Sequence, residues 1–99
     1  MDREKIYISG PISGVAGYKF YFYVAEGHIE QQYGEDEVEV VNPVRFCKPG
    51  WSWLRCMAVC LWKLLRCESI YMLRGWSKSR GARIEHKVAE LLDIDIIYE

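Results

Sequence analysis

The stretch Ser69-Ile70-Tyr71-Met72-Leu73-Arg74-Gly75-Trp76-Ser77-Lys78-Ser79-Arg80-Gly81-Ala82-Arg83-Ile84-Glu85 decides the fold. Its first five residues read as a strand, its middle as a Gly/Ser-rich basic turn, and its end as the start of a helix from Gly81 to Leu92. Ala82, Ile84, Val88, Ala89, Leu91 and Leu92 carry the apolar spacing of that helix. Residues three or four apart share a helix face, so Glu85 lies in line with Ala82, Ala89 and Leu92. An acid on the inner side of a helix, near its start, is costly unless something uses it. The position fits a site, because ligands in open α/β sheets gather where strands end and helices begin. The other reading is a partly exposed glutamate that offsets the positive helix N-terminus.

Outward from this segment the same alternation repeats. Lys5 to Ser9 reads as a strand that stops at Gly10-Pro11-Ile12-Ser13-Gly14, a loop rich in breakers. Tyr18 to about Gln32 reads as a helix, with Tyr18, Phe22, Ala25, Ile29 and Tyr33 as its stripe. Glu37 to Val41 is a short strand ended by Asn42-Pro43, and Pro49-Gly50 marks a turn in the loop that follows. Ser52 is placed to cap a helix whose apolar face is Trp53, Leu54, Met57, Leu61, Leu64 and Leu65. Ile94 to Tyr98 is the last strand. Short strands alternating with helices call for a parallel sheet covered on both faces. The expectation is a single α/β domain over residues 1–99, small, Rossmann-like (flavodoxin-like) and three-layered, with a roughly four-stranded parallel sheet.

In such a sheet the C-terminal ends of all strands share one edge. The loop Gly10 to Gly14, Asn42-Pro43, the turn Arg74 to Ser79 and the tail Tyr98-Glu99 should therefore converge. Gly10 and Gly14 suit a backbone that bends sharply or approaches a ligand closely. Ser9, Ser13, Ser77 and Ser79 offer hydroxyls, and the helix that follows offers free amides, a combination that favours an anion. Arg74, Lys78, Arg80 and Arg83 add four cations with no acid before Glu85. The alternative is a solvated basic loop. The Gly10 loop lacks the dinucleotide Gly-x-Gly-x-x-Gly order, and no Gly-Lys-Ser/Thr marks a Walker loop.

Composition narrows the classes further. Ninety-nine residues, 51% of them hydrophobic and 27% charged, give one domain of ordinary globular usage. A net charge of −1 gives no case for binding a nucleic-acid polymer or a membrane. The start lacks the apolar segment of a signal peptide, and the longest apolar run, Cys56 to Trp62, is far short of a membrane span. A cytoplasmic protein is the expectation. No Cys-x-x-Cys pair occurs among Cys47, Cys56, Cys60 and Cys67. Cys56 and Cys60 share a helix face, but two thiols make a poor zinc site, so reduced, buried thiols and no metal are expected.

Four segments carry a resemblance: Ile6 to Gly14, Val40 to Pro43, Cys67 to Trp76, and Ser79 to Glu85. Together they resemble a family of small bacterial and phage proteins, usually labelled only as a domain of unknown function, within the nucleoside 2-deoxyribosyltransferase-like superfamily. The Gly-Trp-x-x-Ser-x-Gly-Ala-x-x-Glu stretch is the most specific part. The resemblance implies N-glycosidic chemistry on a nucleoside or nucleoside monophosphate, with no cofactor. A glutamate at the Glu85 position attacks C1′, the base leaves, and water or a second base resolves the glycosyl ester. It further implies that Ser79 holds a 5′-phosphate and that the first-strand loop, with Tyr7, Gly10, Pro11 and Ser13, lines the sugar and base pocket. Asn42, Trp76, Gly81 and Arg83 complete the expected binding set. A homodimer or higher homo-oligomer is expected, with the aromatic start of the first helix (Tyr18, Phe20, Tyr21, Phe22, Tyr23) as the contact.

One departure stands out. Active members of the superfamily carry an aspartate in the second helix that assists base departure, and alignment on Trp53, Met57 and Leu61 puts Cys60 there. A thiol is a weak hydrogen-bonding partner and supplies no carboxylate. The chain is thus read as a glycosidic-bond enzyme, slow or with a different acid, or as a nucleotide-binding or phage-associated interaction protein without catalysis.

Overall fold

Ile6 and Ile8 of the first strand face one side of the sheet, Tyr7 and Ser9 face the other, and all four are buried. That alternation places a layer on each side. The computed structural model describes residues 3–12 and 14–99. Within them the elements run β1 (Glu4–Ser9), α1 (Tyr18–Tyr33), β2 (Val38–Val41), α2 (Trp53–Leu64), β3 (Ser69–Met72), α3 (Arg80–Leu91) and β4 (Asp95–Tyr98). All pairings are parallel and the strand order is β2-β1-β3-β4. The four-stranded parallel sheet with helices on both faces is the small Rossmann-like domain expected. Two 3-10 turns, Pro43–Arg45 and Trp76–Lys78, occupy segments read from sequence as loops.

Each layer has its own core. On one face Ile6, Ile8, Tyr71 and Leu73 pack against Phe22, Ala25 and Ile29 of α1. On the other, Tyr7, Ile70 and Met72 pack against Cys60 and Leu64 of α2 and Ala82 and Ala89 of α3. Helix α1 thus lies alone on one face and α2 with α3 on the other. The aromatic start of α1 divides as one helix face must: Phe22 is buried, while Phe20, Tyr21 and Tyr23 remain exposed. Ser52 caps α2 through its side chain, which accepts from Arg55 N at 3.1 Å. Leu92, grouped by spacing with the inner face of α3, lies beyond its end and is exposed.

The expectation of four reduced thiols is corrected. Cys47 and Cys56 form a disulfide, while Cys60 and Cys67 are free and buried. The chain between Pro43 and Gly50 turns back across the start of α2 and carries Cys47 to Cys56, a meeting that spacing in the sequence does not display.

Strand order reverses between β1 and β3, which part at their C-terminal ends. The two chains first come very close: Leu73 N donates to Ser9 O at 2.8 Å, and a Cβ on Gly10 would lie 2.8 Å from Leu73 Cβ. Gly10 is therefore needed for strand–strand approach. Gly10→Ala should lower unfolding free energy by about 1–3 kcal/mol through overpacking, read as a reduced urea midpoint at unchanged slope.

Candidate functional site

The crevice at this reversal is the position at which open α/β sheets bind ligands. It forms a pocket of about 460 Å³ whose floor includes Tyr7, Gly10 and Glu85. The N-terminus of α3 supplies Ser79, Arg80 and Gly81 to one wall, and α2 supplies Trp53, Met57 and Cys60 to another. Gly81 lets these walls approach, because a Cβ there would sit 3.0 Å from Met57 Sδ.

Glu85 is 5% exposed, which settles its reading in favour of an inward-facing acid. Ser9 Oγ donates to its Oε1 at 2.6 Å, and the Tyr7 hydroxyl donates to its Oε2. Both donors come from the α2/α3 side of β1 and are themselves buried. Burial pushes the Glu85 carboxyl up to about 7, against the two hydrogen bonds that favour its charged form. Tyr7 is held well above its ordinary value, first by burial and then by the negative charge of Glu85. Cys60, also raised by burial and then by Glu85, reaches about 12 and keeps its proton.

Of the residues singled out in the sequence, Tyr7, Gly10, Cys60, Ser79, Gly81 and Glu85 line the pocket. Ser9 acts behind the wall, through Glu85. Ser13 lies outside the described residues. Gly14 adopts a positive φ of 77° in the sharp bend expected of it, but neither it nor Pro11 is part of the wall. Asn42 is turned inward at the end of β2: its amide donates to Glu26 Oε1 at 3.0 Å and its carbonyl accepts from Val44 N at 3.1 Å. That arrangement caps the Pro43–Arg45 turn and ties it to α1. Trp76 stacks on His86 with ring centroids 4.2 Å apart, outside the pocket. Arg74 and Arg83 are exposed and also stand outside it.

The pocket nevertheless holds four cations, because Lys19 and Lys48 join Lys78 and Arg80, while Glu85 is the acid among its described lining residues. Lys19 was missed in the sequence, although the start of α1 follows the β1 loop at the same sheet edge. Lys48 had no comparable signal. Ser79 Oγ caps α3 by accepting from Ala82 N at 3.3 Å, which leaves its own proton to donate. The first amides of a helix have no partner within it, so a negative group is favoured at this wall. Arg80 lies over the Trp53 ring at 4.4 Å.

The family described as Domain of unknown function (DUF4406) matches residues 4–98. No match is found among the curated proteins. Among solved structures, a conserved protein from Enterococcus faecalis V583 is similar, with a TM-score of 0.73 and 20% sequence identity. The similarity covers 98% of this chain and 63% of that one, so this chain spans less than two thirds of its length. At that identity the likeness speaks for the fold.

The Glu85 carboxyl makes stability depend on pH. Its folded value, about 7, exceeds the ordinary 4.5, so the folded chain keeps a proton that the unfolded chain releases. Stability is therefore greatest below about 4.5, falls as pH rises through about 7, and is level above that. Glu85→Gln should raise unfolding free energy by about 1–3 kcal/mol near pH 8 and by much less near pH 4. Urea titrations of both proteins at the two pH values check this; an equal difference at both would contradict it.

Proposed function

The chain belongs to the family described as Domain of unknown function (DUF4406), and from its pocket we propose that it acts on the N-glycosidic bond of a nucleoside or nucleotide, with Glu85 as nucleophile. The observation that carries this reading is a buried carboxyl, oriented by two hydroxyls, on the floor of a pocket otherwise rich in cations. Oriented and partly desolvated carboxylates suit attack at a sugar C1′, where an oxocarbenium-like transition state develops positive charge. Glu85 forms the C1′–O bond as the C1′–N bond breaks, and the base leaves with the electron pair and takes a proton from water. Water then cleaves the glycosyl ester and releases the sugar with retained configuration. Ser79, the α3 N-terminus, Lys78 and Arg80 would hold a 5′-phosphate, and Lys19 and Lys48 would draw an anionic substrate towards the pocket.

A second reading rests on Cys60. A thiol that keeps its proton up to about 12 is a poor donor to a departing base. The alternative is therefore a nucleotide-binding protein that retains the pocket without turnover.

Chromatographic detection of free base separates the two, with deoxynucleoside monophosphates and their nucleosides as substrates. For an enzyme, Glu85→Ala should reduce base release by roughly 10⁴-fold or more. Cys60→Asp should increase it, by up to roughly 10²–10⁴-fold if it restores a general acid. Wild type and Cys60→Asp both silent, with monophosphate affinity retained in Glu85→Ala within a few fold, would establish the binder.

A further inference from the structure

Three of the four cysteine sulfurs meet at one wall of the pocket. Cys56 and Cys60 stand one turn apart on α2, and Cys47 reaches them from the loop after the Pro43–Arg45 turn. The three sulfur atoms lie within 4.8 Å of one another. Cys60 Sγ is 3.6 Å from Cys47 Sγ and 3.9 Å from Cys56 Sγ. The fourth cysteine is elsewhere, at the far end of α2, where Cys67 Sγ donates to Lys63 O at 3.4 Å.

Those two distances discriminate between chemistries. A thiolate that exchanges with a disulfide attacks along the axis of the bond it breaks, so it sits much nearer one sulfur than the other. Cys60 is almost equidistant from the pair and lies beside the bond. Thiolates that share a metal ion, with bonds of about 2.3 Å at tetrahedral angles, have sulfurs about 3.8 Å apart. Two edges of the triangle already have that length, and the third is closed by the disulfide. Two ligands at i, i+4 on one helix, completed by a third from a loop, are a recurrent way to hold zinc.

We propose that, once the Cys47–Cys56 disulfide is reduced, Cys47, Cys56 and Cys60 form a three-thiolate site for a thiophilic ion such as Zn²⁺. A dithiol reduces the disulfide by giving two electrons and two protons and closing to its own disulfide; a phosphine gives the two electrons and leaves as its oxide, with water supplying the oxygen and the two protons. The three thiols then release three protons to solvent as the ion binds, with no change in its oxidation state. The ion supplies the countercharge that a buried thiolate requires. Three protein ligands leave a fourth position, as in catalytic rather than structural zinc sites. All three cysteines line the pocket, so that position opens towards it, for water or for a ligand there. The oxidised chain has a disulfide at the same place and no such site. The proposal is independent of the glycosidic reading and stands or falls without it.

The test titrates the full chain, reduced with a phosphine, first with Co²⁺ and then with Zn²⁺. The expected result is a single ion per chain, a cobalt–thiolate charge-transfer band, and displacement of that band by Zn²⁺. Cys60→Ser should weaken binding by at least about 10-fold, whereas Cys67→Ser should leave it unchanged. Because Cys60 is buried and its variant can lose the fold, a second readout uses wild type alone. Zn²⁺ should slow alkylation of Cys47, Cys56 and Cys60 together, counted by mass spectrometry, and leave the rate at Cys67 as it was. Equal binding by oxidised protein, equal binding by folded Cys60→Ser, or protection that omits Cys60 would each overturn the three-thiolate site.

Discussion

Strand β1 is packed on both faces, and its period of two decides what each residue meets. Ile6 and Ile8 lie on the α1 side, and Tyr7 and Ser9 on the side of the α2/α3 layer. The two hydroxyls on that side are closed off from water, and a buried hydroxyl without a partner costs free energy. Glu85 accepts from both. The same carboxyl that makes the candidate site thus completes the polar pairing of the central strand. Tyr7 and Ser9 in turn fix the carboxyl in one orientation, which a nucleophile or a binding group needs.

That arrangement carries an internal opposition. Burial disfavours the charged form of Glu85, while the two hydrogen bonds favour it, and burial dominates. A second carboxylate on α2 at the place of Cys60 would add like-charge repulsion and raise the Glu85 value further. The neutral thiol leaves Glu85 as the acid of the pocket and gives up a strong proton donor. Around it, Lys19, Lys48, Lys78 and Arg80 come from three separate parts of the chain and create the positive field that Glu85 alone cannot offset.

Close approaches give the pocket its shape. Gly10 brings the end of β1 against Leu73, and Gly81 brings α3 against Met57 of α2, so backbone stands where side chains would otherwise fill the crevice. The disulfide pins the loop after β2 to the start of α2 and forms one wall of the same crevice. Opening it would change that wall directly.

Element order and the parallel sheet were legible in the sequence, because they follow from local periods, and the same periods offered the inward face of Glu85 as one of two readings. Alternation identified the strands, i, i+3/i+4 spacing put Glu85 with Ala82 and Ala89, and Ser52 was set before a helix that it does cap. Topology alone also brought Gly10, Ser79 and Glu85 to one edge. What the tertiary structure decided were the partners. Asn42 turned inward to hold a turn, Trp76 stacked on His86, and Arg83 faced away, because each orientation depends on what a distant segment presents. Tyr7 and Ser9 found Glu85 across more than 70 residues, and Cys47 met Cys56 and Cys60 by the return of a loop. Local spacing encodes which face a residue takes; only the packing of elements distant in sequence encodes which atom it touches.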